Sequence, residues 1–480
     1  MGRRRSAPGL DASGVGHSRG KEAVPQLIVS SPTSCAVRRG HAWSLTGPAT
    51  QSGNSMGLVG VVGAVFMFLS ITMDWGMVLG LRFSLAGLPI SILDIVFLLL
   101  VVVGTWESVL GRFCRNAASP FQVWITILLA LWVVVGVVSG LAEGNSSYDV
   151  LKDLRVIAYL LVSFWAFALF VPLRGYLDSI NSLVIFAGIV VSLQVFYGFF
   201  EGYLRSGNAA SARDVLIPAQ TLPFAFLFLF LRHGWFPKRR KGSVFVCMVL
   251  FSAAMLLTLT RGVWLEFVLA VCFYLLFARR RRARLLSGVV IAAVILAVAL
   301  SYCEGMGWLP GVGREVQYRF ESFVNFAHGR PAETWIGRLN ELSTGFSKVR
   351  ERPFQGWGLG TAIHFVDPTL HQTLTESTYF HDSVLYYLVK LGIPGLLMFI
   401  AFSVYPIGRL VSVNLRSLYY DEGRIVLSSL AGFMLAGNFS GNLSYPPFMV
   451  LLGAMFAQCA ALARHGSKSG HGRTHSGLTL

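Results

Sequence analysis

The stretch Thr258-Leu-Thr-Arg-Gly-Val-Trp-Leu-Glu-Phe267 sets an arginine between two runs that otherwise avoid charge. Ser243 to Thr260 is 18 residues without a charged side chain, and Gly262 to Ala278 is apolar apart from Glu266. An apolar run of about 18 residues is long enough to span a bilayer. The guanidinium of Arg261 does not lose its proton at any ordinary pH. It therefore belongs in a tight turn at the membrane edge, between two spans.

The same pattern recurs along the chain. Of 480 residues, 54% are hydrophobic and only 13% charged, and the mean hydropathy is +0.62. A soluble chain of this length would divide into about three domains, but the repeated apolar runs make this an all-α polytopic membrane protein. Twelve spans are expected. They lie at 56–73, 89–103, 121–142, 156–173, 180–200, 215–231, 243–260, 262–278, 285–302, 381–404, 425–442 and 446–463. The domain plan is a tail at 1–55, spans over 56–302, a long loop at 303–380, spans over 381–463 and a tail at 464–480.

Basic residues choose the side. With the N-terminus inside, the short inner loops hold 16 Lys/Arg and the short outer loops 6, Arg261 included. That asymmetry follows the positive-inside rule. Both tails are then cytoplasmic, and Arg261 and the 303–380 loop face outward. The net charge of +17 is spread in clusters such as Lys238–Lys241 and Arg279–Arg282. This is the pattern of topology determinants, not of a nucleic-acid face. Six scattered cysteines without a CxxC pair support neither a disulfide framework nor a zinc site. Residues 1–55, rich in Gly, Ser and Arg, contain no apolar core of a signal peptide and read as a disordered tail. The Gly/His/Ser-rich 464–480 reads the same way. No fixed-period repeat is visible.

Several outer residues are chemically interesting. Arginine suits bidentate phosphate contacts, and the turn around Arg261 is too tight for a side chain that merely floats to the lipid headgroups. Glu266, five residues on, is placed to pair with Arg261 or orient it. The 303–380 loop contains Glu333-Thr-Trp-Ile-Gly-Arg-Leu-Asn-Glu341 and Arg352-Pro-Phe-Gln-Gly-Trp-Gly-Leu-Gly360. No strand precedes Gly356, Gly358 and Gly360, so a dinucleotide-binding reading fails. A close-packed turn that brings backbone against the membrane domain fits better. His381 opens the tenth span, and histidine is the usual side-chain proton acceptor at neutral pH. Asp382 beside it is placed as an N-terminal charge for the helix, while His364 and His371 sit in ordinary loop. Asp367, His371, Glu376, His381 and Asp382 lack tight ligand spacing, so neither a metal nor another cofactor is expected.

Leu-Thr-Arg-Gly after a mid-chain span, Arg-Pro-Phe-Gln-Gly-Trp-Gly-Leu-Gly in a long outer loop, and His-Asp-Ser-Val-Leu-Tyr-Tyr-Leu-Val-Lys-Leu-Gly-Ile-Pro-Gly-Leu together resemble the O-antigen ligase family. That family includes lipopolysaccharide O-antigen ligases, related exopolysaccharide and O-antigen polymerases, and bacterial O-oligosaccharyltransferases. The resemblance is specific from about Ser243 to Leu397 and extends as topology to all twelve spans. The first 55 residues match nothing in it. It implies a fold like that of the GT-C membrane glycosyltransferases, in a bacterial inner membrane, with the active site facing the periplasm. It also implies a donor glycan on undecaprenyl pyrophosphate and an acceptor hydroxyl on glycan, lipid A-core or protein. Arg261 and Arg338 would then bind the pyrophosphate, and His381 would take the acceptor's proton. In-line attack would invert the anomeric centre without a metal. Two positions depart from the family pattern: Asp382 stands where asparagine is usual, and Lys390 where an acidic residue is common.

A transporter of polysaccharide or lipid-linked glycan is the alternative. It would carry substrate-binding charges near the membrane midplane, whereas most charged candidates here collect at the outer edge and Asp94 is the main exception. A membrane sensor or scaffold would tolerate loss of the two arginines and the histidine. Reporter fusions after Gly207, Lys241 and Gly329 should read outside, inside and outside. An inside signal at Gly329 would contradict an outward-facing 303–380 loop.

Overall fold

The computed structural model describes residues 58–73, 83–85, 88–109, 119–170, 173–207, 218–232, 241–277, 302, 304–307, 311–328, 333–368, 375–414, 420–440, 443 and 445–471. Five helices lead the order: α1 (Leu58–Thr72), α2 (Ile92–Val109), α3 (Pro120–Ala142), α4 (Ser147–Phe170) and α5 (Leu173–Ser206). Then come α6 (Thr221–Arg232), α7 (Lys241–Leu257), α8 (Arg261–Phe277), α9 (Val312–Ala327) and α10 (Glu333–Glu351). The last three are α11 (Ser383–Asn414), α12 (Tyr420–Ser440) and α13 (Pro446–His471). Among the described residues, strand pairing is confined to two antiparallel ribbons, β1 (Phe83–Leu85) with β2 (Leu88–Ile90) and β3 (Ile363–Phe365) with β4 (Thr375–Ser377).

This is an all-α membrane protein. Among the described residues, Pro120–Ala142, Ser179–Ser206, Ser383–Val413 and Pro446–Arg464 are long and apolar enough to cross a bilayer. Helix α3 shows why. Its start is set by Ser119, which accepts a hydrogen bond from the Gln122 amide, with Pro120 at the first helical position. Gln122, Ile125, Leu129, Val133, Gly136 and Gly140 recur at three- and four-residue steps and are buried. The opposite face is equally apolar yet exposed, with Trp124 65% and Leu131 60% accessible. In water such a face would be a liability; in a bilayer it meets acyl chains.

The structure departs from the expected spans in several places. The ninth, 285–302, lies outside the described residues except for Tyr302. Helix α4 starts at Ser147, not 156, so Lys152 and Arg155 stand on its first turns instead of in an outer loop. Helix α13 continues to His471, into the segment read as a tail. The 303–380 segment is not mere loop, because α9 and α10 form within it.

Helix α11 is interrupted at Gly392, where the backbone takes φ 67° and ψ −175°. Pro394 has no N–H to return to the Lys390 carbonyl, and the Ile393 amide instead donates to Pro353. The freed carbonyls of Val389 and Lys390 accept from the amides of Trp357 and Gly358, at 2.8 and 3.1 Å. The Leu391 carbonyl accepts from the Trp132 indole at 2.8 Å. The glycine-rich loop is thus the close-packed turn that its sequence suggests. Gly358 has φ 84°, and a Cβ there would fall 2.1 Å from the backbone nitrogen of Gly140. Arg352 and Lys348 flank the Trp357 ring, whose Nε1 donates to the Lys348 carbonyl, so the Arg-Pro-Phe-Gln-Gly-Trp motif is a structural staple.

Beneath the loop lies a buried ion pair. Lys390 is 0% exposed and pairs with Asp153, which is 3% exposed. Asp153 also accepts from the Tyr386 hydroxyl at 3.0 Å and the Gly360 amide at 2.6 Å. One carboxylate therefore joins α4, α11 and the loop. Removing one partner of such a pair strands the other charge and costs about 3–5 kcal/mol. Lys390→Met should accordingly lower the thermal unfolding temperature of detergent-solubilised protein sharply. Asp153→Asn combined with Lys390→Met should recover part of that loss; an equal or deeper loss would show that the pair itself is not what binds these elements.

Candidate functional site

The three expected site residues stand on three different elements. Arg338 lies in the second turn of α10, in register with Trp335 and Glu341 on one face at three-residue steps. Its guanidinium carbon is 5.5 Å from the centroid of the Trp335 ring. Burial pulls the Arg338 pKa below its usual value, while neighbouring Glu341 and Tyr379 act in the opposite direction.

Glu341 contacts His381 directly. One carboxyl oxygen accepts from the His381 backbone amide at 2.7 Å, and the other lies 2.7 Å from Nδ1 of the ring. An ionised carboxylate only accepts, so Nδ1 carries a proton and, in the neutral ring, Nε2 is the acceptor. The Glu341 side chain is 2% exposed and that of His381 41%, so the carboxylate is buried behind a ring that faces outward.

The segment that carries His381 is pinned on both sides. Thr378 accepts from Lys390 through its carbonyl at 2.9 Å and from Lys152 through its hydroxyl at 3.1 Å. The Tyr379 hydroxyl donates to the Ser440 carbonyl at 2.9 Å, and its ring meets the His381 ring edge-on at 5.5 Å. Burial drives the Tyr379 phenol far above its usual pKa, so it stays protonated as a donor. Phe380 is fully buried. Asp382 caps α11 by accepting from the Leu385 amide at 2.7 Å, as its position before the helix suggests. Burial raises the Asp382 pKa, and the bonds from the Leu385 and Val384 amides work against that rise.

Arg261 opens α8 from a strained turn. Leu259, buried, has φ 49°, a left-handed conformation that costs a β-carbon residue about 1–2 kcal/mol. The turn is held by Thr258 and Thr260, which bond to local backbone, and by the Trp264 indole, which donates to the Met255 carbonyl at 2.8 Å. Arg261 itself is half-buried. A Cβ on Gly262 would lie 3.0 Å from that of Ser440, the residue whose carbonyl holds Tyr379. Glu341 thus joins Arg338 and His381, and the Arg261 turn reaches the same region through Ser440 and Tyr379.

Glu266 does not serve Arg261. Five residues along a helix is about 140° around its axis, and the Glu266 side chain turns into the bundle, 0% exposed. Neither of its carboxyl oxygens has a hydrogen-bond partner among the described residues. Asp94, the exception to the outer-edge charges, is a satisfied ion pair: Arg155 donates to it twice at 2.8 Å and Tyr159 once at 2.7 Å. Among the described residues no three His, Cys, Asp or Glu gather as metal ligands; His371 lies outside them, and Glu376 is exposed on β4 opposite His364.

Glu341, Tyr379 and Asp153 were not singled out from sequence, and Lys390 was marked only as a departure from the family pattern. For Glu341 a signal existed: it follows Arg338 by three residues in a helical stretch, so both share a face. Nothing local marks Tyr379, whose partner is 61 residues away. Residues 246–400, which contain Arg261, Arg338 and His381, match the family model described as O-Antigen ligase (Wzy_C). No curated protein matches the chain.

Proposed function

We propose that this chain, in which residues 246–400 match the O-antigen ligase family model, transfers a glycan from undecaprenyl pyrophosphate to an acceptor hydroxyl at the periplasmic face of the bacterial inner membrane. The observation that carries this reading is the Glu341–His381 pair beside Arg338. It supplies a half-exposed imidazole with a free Nε2 next to a fixed positive charge. In the proposed topology twelve helices span the membrane with both tails cytoplasmic, and 303–380 overlies the site.

The acceptor hydroxyl gives its proton to Nε2 of His381 as its oxygen attacks C1 of the donor sugar. The bond from C1 to the pyrophosphate oxygen breaks from the opposite side, so the anomeric centre inverts. Negative charge grows on the departing pyrophosphate, and Arg338 and Arg261 are the cations that meet it. Glu341 keeps Nδ1 protonated and stabilises the imidazolium that forms. The polyprenyl tail lies among the apolar helices below. Ligase and polymerase chemistry differ only in whether the acceptor is lipid A-core or protein, or a second lipid-linked glycan, and the same residues serve both.

Single-turnover transfer from lipid-linked donor, by equal amounts of membrane-inserted variant, tests these roles. Arg261→Lys and Arg338→Lys keep the charge but lose the two-pronged geometry. Each should lose at least about tenfold, roughly 1.4 kcal/mol of transition-state stabilisation. His381→Ala should lose about a hundredfold or more, with Glu341→Gln in between. A near wild-type rate for Arg261→Lys would make that residue a membrane anchor. Turnover should also survive excess EDTA; a loss that magnesium or manganese restores would reassign Asp367, Glu376 and Asp382 as metal ligands.

A further inference from the structure

The end of α12 is closed by side chains from the segment that carries His381. The last carbonyls of a helix have no partner within it, and hydroxyls of that segment supply donors there. Ser383 donates to the Gly437 carbonyl at 2.8 Å and Tyr379 to the Ser440 carbonyl at 2.9 Å. Just beyond the helix, Tyr387 donates to the Leu443 carbonyl at 3.1 Å. Ser383, Tyr387 and Leu443 are buried, so a hydroxyl removed here strands a carbonyl.

Helix α12 is in turn fixed to α8. A Cβ on Gly432 would fall 2.7 Å from both the Glu266 carbonyl oxygen and the Ala270 Cβ. At the other end of the same contact, a Cβ on Gly262 would lie 3.0 Å from that of Ser440. The two helices therefore meet backbone against backbone at both places, and Arg261 is carried with them. Tyr379 is the rung nearest the site. Ser377 grips its backbone, accepting from the Tyr379 amide at 3.1 Å and donating to the Tyr379 carbonyl at 2.6 Å. The Tyr379 ring stands edge-on to that of His381, and Arg338 is its neighbour. Through Ser440, one hydrogen bond and one close packing contact separate Tyr379 from Gly262, the residue next to Arg261.

We infer that Tyr379 is a positioning residue, a role that rests on the glycan-transfer reading above. Through Ser440 it sets the Arg261 turn against the Arg338–His381 pair, so that both guanidiniums address one pyrophosphate while the imidazole faces the acceptor. Cations on two helices stabilise one leaving group only if their separation is held, and a misplacement of about 1 Å can cost a hundredfold in rate. The phenol takes no part as an acid or base, because its proton is committed to the Ser440 carbonyl.

Tyr379→Phe keeps the ring and deletes only the hydroxyl, and Tyr387→Phe does the same one rung further from the site. In single-turnover transfer at saturating lipid-linked donor, Tyr379→Phe should lose about tenfold and Tyr387→Phe less than about threefold. Their unfolding temperatures should fall alike. The pH profile of Tyr379→Phe should keep its wild-type shape, since Glu341 still holds Nδ1 of His381. Tyr379→Phe combined with Arg261→Lys should be about as slow as the slower single variant, because both loosen the same clamp. Equal losses in the two tyrosine variants, multiplying losses in the double variant or a full rate for Tyr379→Phe would overturn the positioning role. The link is also read without turnover: hydrogen exchange should quicken together at 432–440 and 258–264 in Tyr379→Phe. Unchanged exchange at 258–264 overturns the link, whereas quickened exchange with full rates for Arg261→Lys and His381→Ala overturns glycan transfer instead. If Tyr379→Phe does not fold, Gly262→Ala crowds Ser440 from the other side with Tyr379 intact. It should also lose about tenfold, and a full rate there would overturn the proposal.

Discussion

The buried pair of Asp153 and Lys390 is the contact on which the His381 end of the molecule depends. Neither ion is tolerable alone in a low-dielectric interior, so α4 and α11 must meet where the two side chains meet. Asp153 spends its remaining acceptor capacity on Tyr386 and on the Gly360 amide, which seats the glycine loop. Lys390 donates to the Thr378 carbonyl, which fixes the strand of chain leading to His381. Four segments distant in sequence are registered by one carboxylate and one ammonium.

A second constraint is the broken helix. Hydrogen-bonding groups inside a membrane protein must find partners within the protein. Pro394 and the left-handed Gly392 release carbonyls that the Trp357–Gly358 amides take up. The loop is therefore not draped over the bundle but completes an interrupted helix. Its glycines follow from that geometry, since a side chain at Gly358 would collide with the backbone of α3. A rigid floor results, and α10 lies over it with Gly345 against Leu385 of α11.

The site inherits this rigidity. His381 is held through its own backbone amide and its ring by a single carboxylate, and Arg338 stands one turn away on the same helix. Arg261 is positioned differently, by a strained turn whose left-handed Leu259 is buried and so cannot relax outward. Strain of this kind persists only where the surroundings over-determine it. Precise placement of the Arg261 guanidinium is a physical reason for keeping it.

Sequence alone determined what depends on composition and short-range order. Apolar runs of bilayer length made the chain a helical membrane protein, and α3, α11 and α13 form where those runs lie. The placing of Asp382 at a helix N-terminus and of the glycine triplet in a packed turn was legible because both are consequences of local backbone geometry. Arg261 and His381 stood out because a charge or a histidine beside apolar runs is conspicuous, whereas Arg338 was marked only by the family resemblance. What the tertiary structure decided is how such residues pair. Glu266 was read as a partner of Arg261 by proximity in sequence, yet helix rotation turns it inward. Glu341, Tyr379 and Asp153 find partners 40, 61 and 237 residues away, a separation at which no periodicity carries information. Polar pairing in a membrane protein is set by which helices become neighbours, and only the packed bundle specifies that.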